Sequence, residues 1–285
     1  MSTPTDLGAT RSVKVARSTT SSYVGAGVGL AVVVVMAVAP YFFGKGFQQN
    51  LVILFSLIVL GTMWNLMAGY GGMVSIGQQA YIGIGAYGLV YIADTLGVEP
   101  FLAIPVAMLV AGIIAYPISF LAFRLSGGYF AIGTWVMAEV IRLITMQIPA
   151  LGSGVGVTLR SITQLFNPEE RLRYVYWLSL VAAVAAVAVT YVLMRSRLGL
   201  GFTAIRDDSI AADSLGVRVV RSRRIVFVVA AMGCALAGSV IAANTLRVVP
   251  DSIYGVQWSA YMIFVVVIRG IGSIEGPIIG ALIFF

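Results

Sequence analysis

Histidine is absent from all 285 residues, and cysteine occurs once, at Cys234 inside an apolar run. A disulfide framework, a Cys/His zinc site and Ser-His or Cys-His catalysis are therefore all excluded. Charge is scarce as well. The 18 lysines and arginines and 11 acidic residues make up only 10% of the chain, against about 25% in soluble globular domains. The sequence has no HExxH pattern and no aspartate pair within an apolar run, so the usual tools of intramembrane hydrolysis are missing. Nothing matches G-x-x-x-x-G-K-[ST] either, and Gly44-Lys45-Gly46 lacks the rest of that pattern. The chain cannot cradle nucleotide phosphates by that device. No metal and no cofactor are expected.

What the sequence has in abundance is apolar surface, at 60% hydrophobic residues. Runs of membrane-spanning length lie near 23–43, 50–68, 74–93, 101–122, 129–148, 174–194, 225–245 and 256–269, since ~30 Å of hydrocarbon needs about 20 helical residues. The expectation is an all-α, polytopic helical bundle of about eight spans. A ninth run starts at Pro277 and ends with the chain at Phe285. As helix it reaches only ~14 Å, so the expected reading is a truncated final span, with a re-entrant segment as the other option. The first forty residues resemble a secretory signal, with Arg11, Lys14, Arg17 and an Ala37-Val38-Ala39 site. Pro40 follows that site directly, and the run before it is as long as a span, so the segment is read as an uncleaved first helix.

The net charge of +7 gathers in short segments between apolar runs, a pattern of topology rather than of nucleic-acid binding. If the basic tail over residues 1–22 is cytoplasmic, six crossings return the chain to the cytoplasm at residue 195. The segment 195–224 holds seven arginines, more than any other loop, and the two ends then agree on orientation. Arg124 falls on the same side. Lys45, Asp94, Glu99 and the 149–173 loop fall on the other.

Glycine marks the local breaks. Gly69, Gly71 and Gly72 precede Ser75, Gly77, Gln78 and Gln79, and the small residues Ala80, Gly83, Gly85, Ala86 and Gly88 follow. Close helix packing would explain the small residues alone. Consecutive glycines, however, break a helix, and a break at membrane depth is tolerated only inside protein or along a wet cavity. Further breaks are expected at 126–128, at 152–156 and from Gly270 through Gly272, Ser273 and Gly276 to Pro277. Glu139 and Arg142 lie well inside a run, three residues apart on one helical face. They read as a structural ion pair, or as part of a pathway or gate. Tyr129 and Trp135 on the same helix read as packing residues.

The most polar stretch lies within 195–224. Asp207 and Asp208 are expected in the first turn of a short amphipathic helix, Ile210, Ala211 and Leu215 form its apolar stripe, and Gly216 ends it, with Arg206 just before. Such a stub suits a partner's groove. The arginines from Arg218 to Arg224 suit lipid headgroups.

Three ordered blocks carry a resemblance. Asn65, Leu66, Gly69, Tyr70, Gly72, Ser75 and Gly77 form the first. The second runs from Ser196, Arg197 and Gly199 through Ala204, Ile205, Arg206, Asp207, Asp208, Ala211 and Ala212 to Gly216. Gly270, Gly272, Ser273, Gly276, Pro277, Gly280 and Ala281 form the third. From about residue 50 onward the chain resembles the M-type membrane subunit of bacterial branched-chain amino-acid ATP-binding cassette (ABC) importers. Arg269, and Leu200 with Gly201, depart from the family pattern. The resemblance implies a multi-pass permease of the inner membrane over 23–285, with its amino terminus in the cytoplasm. It implies two cytoplasmic ATP-binding subunits, a related permease subunit and a periplasmic binding protein as partners. Residues 203–216 would be the coupling helix, and the glycine breaks would line the path. Urea, amides and aromatic acids remain open as substrates. The residues also leave open an ion-gradient-driven secondary transporter or channel with Glu139 as its proton or cation site.

Overall fold

The computed structural model describes residues 20–285, with residues 20–26, Arg197, Ser209 and Ile210 described by main chain alone. Residues 1–19, with Arg11, Lys14 and Arg17, lie outside the described residues. Helix α1 (Thr20–Val38) turns through Pro40 into α2 (Lys45–Asn65), which a wider turn of helix prolongs to Tyr70. Residues 71–78 leave the helix, and α3 (Gln79–Val90) resumes it. Then come α4 (Pro100–Ala122), α5 (Gly128–Met146), a short strand β1 (Val157–Thr158), α6 (Arg160–Leu165) and α7 (Pro168–Arg195). Two small helices, α8 (Arg197–Asp207) and α9 (Ser209–Ser214), precede α10 (Val219–Thr245) and β2 (Arg247–Val248). The last elements are α11 (Pro250–Ile253), α12 (Gln257–Val267) and α13 (Gly276–Phe284).

Five helices among the described residues are long and apolar enough to cross a bilayer: α2 with its prolongation, α4, α5, α7 and α10. They coincide with five of the eight expected runs, and the protein is an all-α, multi-pass membrane protein. Two other runs take a different form. The 74–93 run begins in non-helical chain, leaving a 12-residue α3 that a wider turn prolongs over Tyr91–Thr95, and the 256–269 run yields an 11-residue α12. At 1.5 Å per residue α12 reaches about 16 Å, roughly half of a hydrocarbon core, and α3 with its prolongation about 25 Å, still short of one. The 23–43 run is helical to Val38 and turns at Ala39–Tyr41.

Helix α2 is the centre. Its most apolar stretch is 94% buried, against 33% for α4 and α7 and 22% for α5. Its sequence LVILFSLIVLG is apolar all round, as a helix with protein on every side requires. Helix α3 wedges between α4 and α10. A Cβ at Gly85 would collide with the Ala235 carbonyl, so only glycine permits this approach of two backbones, and the Ser239 hydroxyl donates to the Gly85 carbonyl at 2.8 Å across the seam. Helix starts follow local chemistry. Glu99 accepts from the Leu102 amide ahead of Pro100, and Pro168 with Glu169 and Glu170 opens α7.

Two ends result. The α8 end collects the last turn of α2, the 268–275 turn and the start of α10. At the opposite end β1 and β2 pair antiparallel, Val157 with Val248 and Thr158 with Arg247, and Asp94 caps α6 by accepting from the Arg160 and Ser161 amides, each at 2.9 Å.

Candidate translocation and coupling site

The break over 71–78 is exposed at Gly72 and Val74 but runs inside protein at Ser75, Gly77 and Gln78. Trp64 Nε1 donates to the Ser75 carbonyl at 2.9 Å, the Ile76 amide donates to Thr134 Oγ1 on α5 at 3.3 Å, and Ser259 on α12 donates to the Ile76 carbonyl at 2.9 Å. The Ser75 hydroxyl accepts from the Gly77 amide, and Ser259 also lies against Gln79 Oε1. Main-chain groups freed by the break thus find partners on three helices, which is the condition for irregular chain at membrane depth. Gln78 is fully buried and is met mainly by sulfur, with its Nε2 3.0 Å from Met67 Sδ and Cys234 Sγ 3.5 Å from its Oε1. The space beside Ser75 and Gly77 is about 10 Å³, at the lower limit for one water, about 10–15 Å³. The break is therefore sealed in this conformation.

The second break, from Gly270 to Gly276, is held by Asn65. Its Nδ2 donates to the Ser273 carbonyl and its Oδ1 accepts from the Gly272 amide, both at 2.8 Å, with the Asn65 side chain buried. Gly272 takes φ +88, a conformation that side chains rarely adopt, and this aims its amide at Asn65. Ser273 closes the turn by donating to the Gly270 carbonyl, Gly276 is buried against Ser273, and Pro277 opens α13. Gly69 packs against both Asn65 Oδ1 and the Gly272 main chain, and Gly72 turns at φ +64 beside the main chain of Arg206.

Helix α8 reaches this junction. Arg206 Nη1 lies 3.4 Å from the Gly69 carbonyl, longer than the usual range of about 2.7–3.2 Å and so easily lengthened or closed. The polar stretch differs from the expected single helix over 203–216. Helix α8 starts earlier, where Ser196 caps Leu198, and ends at Asp207, which pairs with Arg206. Asp208 is extended, at φ −154 and ψ 108, and its carboxylate caps α9 by accepting from the Ala211 amide at 3.0 Å. Asp207 thus sits at a helix end and Asp208 at a helix start. Gly216, at φ +84, follows the last turn of α9. Phe202, Ile205 and Ala212 are buried toward the bundle, whereas Ala211 is exposed and Leu215 is 82% exposed. The expected stripe therefore faces outward at Ala211 and Leu215. The Ile210 side chain lies outside the described residues.

Glu139 and Arg142 pair as their spacing predicts, and Arg142 Nη1 also reaches Asp251 of α11 at 2.6 Å. One guanidinium thus serves two carboxylates, at the end of α5 far from α8. Asp251 was not legible as a partner, being 109 residues away in the chain. Thr134 and Ser259 were not legible for the same reason. Each is a lone polar atom in an apolar run, and only long-range packing gives it a partner. Tyr254 joins this end, its hydroxyl 2.9 Å from Thr145 Oγ1, and burial pushes its phenol up to about 12 despite that bond, so it stays protonated.

A family model described as "Branched-chain amino acid transport system / permease component" matches residues 48–285. The high-affinity branched-chain amino acid transport system permease protein LivM of Escherichia coli (strain K12) is 27% identical over 280 residues, covering 89% of this chain and 66% of the relative. The protein of the same name from Salmonella typhimurium is 25% identical over 279 residues, covering 89% and 65%. The chain thus spans just under two thirds of the length of these relatives. No solved structure matches it.

Proposed function

The chain belongs to the family of branched-chain amino acid transport permease components, and we propose that it is the pore-forming subunit of an ATP-powered importer of the bacterial inner membrane. Its substrates are leucine, isoleucine, valine or a related amino acid, handed over by a periplasmic binding protein. The motor is a pair of cytoplasmic ATP-binding subunits, and a related permease completes the pore. The amino terminus and the α8–α9 segment face the cytoplasm.

One observation carries this reading: Arg206 of α8 meets the Gly69 carbonyl at the point where Asn65 holds Gly272 and Ser273. A displacement of α8 by an outside partner therefore reaches both helix breaks at once. The exposed Ala211 and Leu215 offer that partner an apolar grip, while Phe202 and Ile205 root the segment in the bundle. The space beside Ser75 and Gly77 is closed in this conformation, and tilting α8 is the route by which nucleotide-driven closure of the motor would open it. The Glu139–Arg142–Asp251 cluster fits a structural role, because both carboxylates are already engaged by the one Arg142 guanidinium.

Asp208→Arg tests the coupling role. In proteoliposomes with all partner subunits the variant should insert normally and hydrolyse ATP, with amino-acid uptake lost. Unchanged uptake would count against α8–α9 as the coupling element. Uptake by the isolated chain under an ion gradient alone would replace the reading with a gradient-driven carrier.

A further inference from the structure

At the end opposite α8, where α2, α10, α11 and α12 converge, lies a cavity of about 160 Å³. That volume has room for several waters, at the about 10–15 Å³ that one requires, and is below the about 300–1,000 Å³ of sites for drug-sized ligands. It suits one small organic molecule. Val52, Ile241, Ile253 and Trp258 supply apolar wall, the hydroxyl residues Ser56, Thr245 and Ser252 lie along it, and Asn244 and Arg247 add an amide and a guanidinium.

Both polar groups are unused. Asn244 Oδ1 is buried without a hydrogen-bond partner, and a buried acceptor left unpaired calls for an explanation. Arg247 stands exposed at the cavity's edge and makes no ion pair among the described residues, although its main chain is fixed by pairing with Thr158. Between them Leu246 is held at φ +64. This left-handed conformation is costly for a leucine and persists only where the surroundings enforce it.

A bare acceptor, a bare guanidinium and an aliphatic wall with one indole are complementary to an ammonium, a carboxylate and an apolar side chain. We propose that this cavity is a subsite for the zwitterion of a small apolar α-amino acid, with Arg247 facing the carboxylate and Asn244 Oδ1 the ammonium. The inference rests on the amino-acid transport reading and adds a place where substrate stops before the sealed breaks.

The test is binding of tritiated leucine to the assembled transporter in nanodiscs without ATP, with 3-methylbutylamine (no carboxylate) and 4-methylpentanoate (no ammonium) as competitors. Arg247→Gln should weaken leucine by about ten- to a hundredfold, the worth of a hydrogen bond to a charged group, and leave 3-methylbutylamine unchanged. Arg247→Lys should restore part of the loss. Asn244→Ala should weaken leucine and 3-methylbutylamine but leave 4-methylpentanoate unchanged. Equal losses for all three ligands would mean a merely structural role and overturn the assignment. So would unaltered binding in both variants, or no binding by wild-type transporter that, moved into proteoliposomes, accumulates leucine with ATP and binding protein. Failure of that ATP-driven accumulation would instead overturn the transport reading.

Discussion

Asn65 uses both atoms of its amide on main chain more than 200 residues away. Asn65→Ala would leave the Gly272 amide and the Ser273 carbonyl without these partners, and a buried group so stranded costs about 1–3 kcal/mol. We expect a lower unfolding temperature in detergent and reduced uptake, both read by the same purified preparation. At the far end of α5, Arg142→Gln should be more damaging than Glu139→Gln. The first leaves Glu139 and Asp251 facing each other uncompensated, whereas the second leaves the Arg142–Asp251 pair in place. Thermal melts of the two variants check the order. Here the sequence carried half of the answer: a spacing of three residues makes Glu139 and Arg142 neighbours on any helix, but nothing local points to Asp251.

At the scale of elements, length and apolar content were enough to place α2, α4, α5, α7 and α10, because a long apolar run has few other stable forms in lipid. They were not enough for α3 and α12. Non-helical chain that is itself apolar and buried in protein has the same hydropathy as a span, so the 74–93 and 256–269 runs looked like complete crossings. The glycines at 69–72 did announce the first break, though not its partners. In the polar stretch, Gly216 was legible as a stop residue, while the division at Asp208 and its role as a cap were not, since Asp207 and Asp208 together suit a first helical turn and either side has helix-forming residues. Gly85→Val tests the seam between α3 and α10. The added side chain collides with the Ala235 carbonyl, and overpacking of this kind typically costs about 1–3 kcal/mol. Membrane insertion should persist, with a sharply reduced yield of folded protein after size-exclusion chromatography.

For the whole molecule, the arrangement of charge gave an orientation that chemistry can check. Cys234 is the sole thiol and is fully buried, so the native protein should resist maleimide until denatured. On a Cys234→Ala background, cysteines placed at the exposed Ser214 and Gln164 positions should be labelled from opposite faces of the membrane, Ser214→Cys from the cytoplasm and Gln164→Cys from outside. Labelling of both from one face would refute the topology.

Because Asn65 ties α2 to the turn between α12 and α13, these three helices cannot slide past one another without giving up two hydrogen bonds at once. A working stroke that keeps those two bonds carries the three helices as one piece. The stretch that joins α10 to α12 is tied down as well, by the Val248–Val157 strand pair, the Asp251–Arg142 ion pair and the Tyr254–Thr145 contact, so α12 is fastened at both of its ends.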